Sequence, residues 1–415
     1  MTTQVKCTAP KIRFRKFSGD WYEKVLGELF PITSAARVHK NEWTKSGVPF
    51  FRSSDVVAHF KGADNSKAFI SIELYEELSA KVGRISKGDM LVTGGGSIGI
   101  PFLVENDEPL YFKDADLLWF KIHGSVDSQY LFTFLSTDSF RQYLKGVSHI
   151  GTIAHYTVEQ AKATPIQIPS DSREQYKIGD YFRELDHVIK LHQSKHEKLL
   201  ALKKSMLQNM FPQPGATTPK IRFKGFSGVW IEKKIRDLCD IIGGGTPSTA
   251  IREYWDGDID WYSPTEIGNG VYARGSVKKI TSLGLANCSA KMLPANKTIL
   301  FTSRAGIGDM AILTKEGCTN QGFQSLILND DMDTYFIFSM GHLVKAHALK
   351  YASGSTFLEV SSKNLGRMGV LIPNEEEQKR IGTYFRSLDE LISKHGTQLQ
   401  KLKQIKSACL EKMFV

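Results

Sequence analysis

Cysteine is scarce and poorly placed in this chain. The five residues Cys7, Cys239, Cys288, Cys318 and Cys409 are odd in number, widely spaced and contain no C-x-x-C pair. That excludes a disulfide framework and a cysteine zinc site, and it fits a reducing compartment. There is no H-E-x-x-H and no histidine–cysteine cluster with zinc spacing, so no metal is expected. No two prolines are adjacent, which removes the [DNS]-P-P-[YFW] motif of amino-group methyltransferases. Long apolar runs are missing too: the first residues, MTTQVKCTAPKIRF, hold no signal-type apolar region, and nothing approaches the ~20 apolar residues of a membrane span. A cytoplasmic protein without a membrane partner is expected.

Two glycine-rich stretches lack what a nucleotide site requires. GGGTPST (243–249) has no G-K-[ST]. GGGSIG (94–99) has dinucleotide-type spacing with Asp116 downstream, but Pro101 stands where the helix of that motif should run. No catalytic apparatus is apparent, and no cofactor is expected in this chain.

What is present is length, charge and repetition. The 415 residues suggest two or three domains, and 41% hydrophobic with 24% charged residues is the balance of a globular protein. Lysine plus arginine number 54 against 44 acidic residues, a net charge of +10 that favours an anionic partner, nucleic acid first. Residues 10–24, PKIRFRKFSGDWYEK, return at 219–233 as PKIRFKGFSGVWIEK, identical at 11 of 15 positions, including Phe14/Phe223, Gly19/Gly228 and Trp21/Trp230. EQYKIGDYFRELD (174–186) returns as EQKRIGTYFRSLD (377–389). Two copies of this size are too few and too long for a solenoid and read as a duplicated unit with a pseudo-two-fold relation, which suits a ligand with its own dyad such as double-stranded DNA. Between the landmarks, roughly 30–165 and 243–365, the copies diverge, although LVTGGGSIG (91–99) still faces LFTSRAGIG (300–308).

Each copy ends in a proline-free helical pattern. Ile178, Phe182, Leu185, Ile189, His192, His196 and Leu199 form a heptad seam, matched by Ile381, Phe385, Leu388, Ile392, His395, Leu399 and Leu402. Both seams then change spacing in the same way, through Leu202, Met206 and Met210 and through Ile405, Cys409 and Met413, which predicts two helices packed along matched faces. A helix of this length is a rod of about 57 Å, long enough to hold two globular domains apart. FPQPGATTP (211–219) ends the first rod. The expected order is a mixed α/β (α+β) domain over 1–170, a helix over 171–211, a linker over 212–219, a second such domain over 220–373 and a helix over 374–415, the helices forming an antiparallel coiled coil.

Candidate ligand contacts lie in the divergent segments, where basic and aromatic residues interleave. Arg52 follows Phe50 and Phe51, Tyr262 follows Trp261, and Lys61 and Lys278 are of the type that holds phosphates. The turn after the strand in LVTGGGSIG and LFTSRAGIG adds Ser97, Ser303 and Arg304, since small residues there allow close backbone approach. Ser53, His155, Ser263 and Ser355 complete the candidate set.

The order PKIRF…FSG-x-W, a variable region, an I-P segment, then E-Q-x-x-I-G-x-[YF]-F-x-x-[LI]-D and a heptad helix, all repeated, resembles the specificity subunits of bacterial type I restriction–modification enzymes. TNQGFQSLIL (319–328) and GSTFLEVSSKNLGRMGVLIP (354–373) look like further family segments, whereas the first half has GTIAHYTVEQAKATPIQIP (151–169) and no N-Q element. The resemblance implies a non-catalytic chain whose two target-recognition domains read a bipartite, usually asymmetric DNA site. It further implies that the helices set the gap and dock two adenine-methyltransferase subunits carrying S-adenosylmethionine, with restriction subunits driven by ATP and magnesium joining them. A protein-interaction scaffold and a divergent DNA methyltransferase are the competing expectations.

Overall fold

The structure is a computed structural model that describes residues 9–124, 126–147, 155–268, 270–304, 306–353 and 358–415. The chain divides into two units, one of residues 1–192 with 398–415, the other of residues 193–397. The division cuts both long helices, Ser172–Asn209 and Glu375–Met413, so neither unit is a contiguous repeat.

In the first unit, strand Trp21–Val25 pairs antiparallel with Pro165–Pro169, placing Trp21 opposite Pro169 immediately before the long helix begins. A four-stranded antiparallel sheet runs in the order Ile32–Thr33, Leu117–Phe120, Met90–Thr93, Pro101–Leu103. Its two central strands, LLWF and MLVT, are buried at every residue, which explains why they read as continuous apolar runs rather than alternating ones. A second sheet orders Trp43–Thr44, Ala68–Ile70, Val48–Phe51 and Tyr111–Phe112, the last pairing being parallel.

The second unit has the same closing pair, Ile231–Lys234 with Gly369–Ile372. Its main sheet orders Cys239–Gly243, Gln324–Leu328, Thr298–Phe301, Met310–Leu313 and Tyr272–Ala273. A smaller sheet places Trp255–Tyr262 between Lys278–Ile280 and Gly317–Thr319. Both units thus mix helices with mainly antiparallel strands.

The repeated landmarks are bonded to each other. Arg13 Nε and Nη2 donate to the two oxygens of Glu174 at 2.6 Å each, and Arg222 does the same to Glu377 at 2.7 Å. Both carboxylates are fully buried, and charge-assisted forks of this kind hold a buried anion in place. The next residue, Gln175 or Gln378, accepts from the backbone N of Asp127 or Asp333, which caps the helix Ser128–Phe134 or Thr334–Ser339. The glycine of the motif lets the long helix lie against that cap: a Cβ at Gly179 would stand 2.7 Å from Tyr130 N, and one at Gly382 would collide with the Asp333 carboxylate. E-Q-x-x-I-G is therefore a docking sequence between helix and domain.

The heptad stripe has two duties. Ile178, Phe182 and Leu185 are buried, and the first two belong to the core of the first unit, while Ile189 and Leu199 are half-buried. Ile381, Phe385 and Leu388 repeat this, with Ile392 and Leu402 half-buried. The change of spacing near each helix end turns the apolar stripe into a globular core instead of merely continuing a helix seam. Met206, Met210 and Phe211 enter the core of the second unit, and Cys409, Met413 and Phe414 enter that of the first. Phe414 stacks on Tyr130 at 5.2 Å and meets Trp21 edge-on and Phe182 tilted, while Phe211 stacks on Phe385, meets Trp230 edge-on and lies tilted to Phe336. Ile12 N bonds to Lys412 O and Ile221 N to Asn209 O, both at 2.9 Å. Within each unit one interhelical ion pair recurs, Lys406–Asp186 at 2.6 Å and Lys203–Asp389 at 2.5 Å.

Candidate nucleic-acid interface

A threonine at the end of a buried strand builds the same turn in each unit. Thr93 Oγ1 donates to Ser97 O at 2.5 Å and accepts from Ile100 N at 2.8 Å; Thr302 Oγ1 donates to Gly306 O at 2.6 Å and accepts from Asp309 N at 2.9 Å. Gly99 and Gly308 close the turns with φ of +74° and +88°, a region that favours glycine. A strand, Pro101–Leu103, follows the first turn where a dinucleotide-binding motif needs a helix, so GGGSIG is a hairpin element.

Two other loops are tied to each turn. Gly94 N donates to Asp116 O and Tyr156 N to Gly94 O; Ser303 N donates to Gly322 O and Val360 N to Ser303 O. This shared frame carries different chemistry. In the first unit it presents Asp114, Ala115 and Asp116, with Lys113 paired to Asp116 at 2.7 Å. In the second it presents Asn320, Gln321 and Gly322, with Gln321 Oε1 accepting from Thr246 Oγ1 at 2.5 Å. The GGGTPST loop is held there by indoles, Trp261 Nε1 donating to Gly245 O and Trp255 Nε1 to Ser248 O.

The structure separates the sequence candidates into three groups. Lys61, Ser97, His155 and Lys278 are exposed, and Arg304 is partly exposed while paired to Glu359 at 2.8 Å. Arg52, Ser53 and Ser263 are committed to local structure. Arg52 forks onto Asp55 beside the Trp43 ring, Ser53 Oγ donates to Asp116 O, and Ser263 N and Oγ both donate to Glu266. Tyr262, in the buried last stretch of strand Trp255–Tyr262, and Ser303, two residues beyond the buried strand Thr298–Phe301, lie in the core rather than at the surface; neither side-chain oxygen has a hydrogen-bond partner among the described residues. Burial, and then Asp260 and Glu266, push the Tyr262 phenol up to about 12, so it stays neutral. Ser355 lies outside the described residues.

The sequence candidates leave out Thr246 and Gln321, and of the basic run Arg274-Gly-Ser-Val-Lys-Lys279 they include Lys278 alone. The first two belong to segments weighed only as motifs, and the run offered a signal, three cations in six residues, that spacing rules do not score. Among the described residues no helix is long and apolar enough to cross a membrane, and no histidine, cysteine or acidic cluster could hold a metal.

Residues 18–201 and 228–404 each match the type I restriction modification DNA specificity domain. The chain belongs to this family. Each match covers one globular segment and most of the long helix behind it, so the family unit is the repeat itself. Among relatives, the type I restriction enzyme MjaIX specificity subunit of Methanocaldococcus jannaschii is 35% identical over 194 residues, which is 45% of this chain and 44% of that one. The chain thus spans less than half the length of that relative. The type I restriction enzyme HindI specificity subunit of Haemophilus influenzae is 22% identical with 92% of this chain and 97% of that one covered. The crystal structure of the type I restriction–modification S subunit from M. genitalium matches with a TM-score of 0.62 at 15% identity, over 98% of this chain and 99% of that one, a likeness of fold.

Proposed function

We propose that this specificity-domain protein is the non-catalytic subunit that directs a type I restriction–modification complex to a bipartite, asymmetric DNA site. The observation that carries this reading is one frame with two loop sets. Arg–Glu fork, glutamine cap, helix-docking glycine and threonine turn recur in both units, whereas the loops they position differ, as Asp114–Asp116 against Asn320–Gly322. A duplicated frame with unlike loops suits a target in two unequal halves, since base readout depends on the few side chains that reach the groove.

In this reading residues 1–170 and 220–373 are the target-recognition domains. Residues 171–211 and 374–415 form an antiparallel coiled coil with pseudo-two-fold symmetry, 212–219 is the linker, and the helices fix the gap between half-sites. Of the candidates, Lys61, Ser97, His155, Lys278 and Arg304 are the proposed contacts to double-stranded DNA, a reading supported by their exposure, and Ser355 remains in the proposal on sequence grounds. Two methyltransferase subunits bearing S-adenosylmethionine dock on the helices, and restriction subunits using ATP and magnesium join them in the cytoplasm.

The test is DNA affinity of the full chain co-purified with its methyltransferase partner, measured against salt. Phosphate contacts should make log affinity fall steeply with log salt concentration. A complex that forms without any salt-dependent DNA affinity would instead make the chain a protein scaffold.

A further inference from the structure

Val277 is 86% exposed, more than any other exposed large apolar side chain among the described residues, with Val229 next at 67%. Scattered exposed apolar residues are ordinary, and on a loose loop this one would carry no meaning. Its loop, however, is pinned on every side. Val277 N donates to Glu266 Oε1 at 2.6 Å, and Ser276 N donates to Asp260 Oδ1 at 3.2 Å. Ser276 Oγ accepts from Trp261 N at 2.9 Å and donates to Lys278 O at 2.6 Å. The loop also joins two sheets, leaving strand Tyr272–Ala273 and entering strand Lys278–Ile280, so both its ends are anchored. Four hydrogen bonds thus hold an aliphatic side chain out in water.

The charge around it has one outward sign. Arg274, Lys278 and Lys279 flank Val277 with no acidic residue between 274 and 279. The neighbouring carboxylates are turned to internal work: Glu266 Oε2 accepts from Ser263, and Asp260, only 7% exposed, accepts from Ser276 N and pairs with Lys279 at 3.4 Å. Arg274 lies over the Tyr272 ring at 5.0 Å and Lys278 over Trp255 at 5.8 Å, so both cations are stiffened by aromatic faces.

Resting on the proposed DNA recognition, we infer that loop 274–279 is a further reading loop of the second unit, beside the loops on the threonine turn, with Val277 seated against the 5-methyl group of a thymine in the major groove. Its cations contact the flanking phosphates. A rigid aliphatic tip ringed by cations matches the two features of a thymine in duplex DNA, an apolar methyl on the groove floor and a phosphate wall on each side. Minor-groove wedges are larger and work by unstacking bases, which a side chain as short as valine does not reach to do. Ser263, a sequence candidate for direct contact, acts here as a support, since its bonds hold Glu266 beneath Val277.

The experiment uses the full chain in complex with its methyltransferase partner and a duplex carrying the site found by adenine-methylation sequencing. Each thymine of the two half-sites is replaced in turn by deoxyuracil, which removes only the methyl group. Wild type should lose roughly tenfold affinity at one position of one half-site. V277S should bind the thymine duplex with that same loss and show no further loss with uracil, while K278A should weaken all duplexes equally. Because Val277 is exposed, V277S should melt with the wild type. If V277S still separates thymine from uracil as wild type does, or if wild type never separates them, the assignment of Val277 is overturned and DNA recognition stands. If the wild-type complex has no salt-dependent DNA affinity, both fall together.

Discussion

Arg13 and Arg222 each neutralise a glutamate that has no access to water, and each also donates to a backbone carbonyl, Gly19 O or Gly228 O, at 2.6 Å. Removing one arginine leaves a buried, unpaired carboxylate, which costs about 3 kcal/mol. Arg222→Ala should therefore lower the chemical-denaturation midpoint markedly, and Glu377→Gln should do so less. A second residue-scale effect concerns Tyr130, whose phenol is raised well above its ordinary value of 10.0 by burial, then by the charge of Glu174. The unfolded chain gives up this proton near pH 10 while the folded chain keeps it. Stability is thus fully present below pH 10 and is lost as pH rises toward the folded value. Tyr130→Phe should fold, since Phe336 fills the corresponding aromatic position beside Trp230, and thermal melts above pH 10 should show a smaller alkaline loss than wild type. At this scale the sequence displayed repetition without its reason. PKIRF was visible as a landmark, yet the partner of its arginine lies 161 residues away in the first copy and 155 in the second, a pairing that no local periodicity reveals. Tyr262 and Ser303 show the converse: a polar residue at the end of an apolar run looks the same in sequence whether the strand end faces water or the core.

The long helices were the most legible elements, because proline-free heptads over this length admit few other structures. In the structure they run over Ser172–Asn209 and Glu375–Met413. What periodicity could not show is where the stripe is spent. Its first turns fill the core beside the helix start, and its displaced last turns carry Phe211 and Phe414 into the globular cores of the second and first units. Phe414→Ala removes an aromatic side chain packed among Trp21, Tyr130 and Phe182 and should destabilise the first unit by about 3 kcal/mol, read as a lower melting temperature. An unchanged melt would mean that the helix end is not part of that core. The divergent segments were the least legible, since their loops take shape only once distant strands have paired, as Thr93 with Leu117 and Ile242 with Ser325.

At the scale of the whole molecule, duplication explains the repeated architecture, and in the proposed function the divergent loops serve its use. If the helices set the distance between half-sites, four residues inserted into one of them lengthen it by ~6 Å and should widen the gap by roughly two base pairs. Methylation-site sequencing of such a variant checks this, and an unchanged gap would assign the spacing to another element. The central claim, that two unlike loop sets on one repeated frame read two unequal half-sites, is tested most directly by mapping adenine methylation across the genome of the source cell with and without this gene. One bipartite, asymmetric methylated motif should disappear when the gene is deleted. A methylation map that is identical in both strains would contradict the claim.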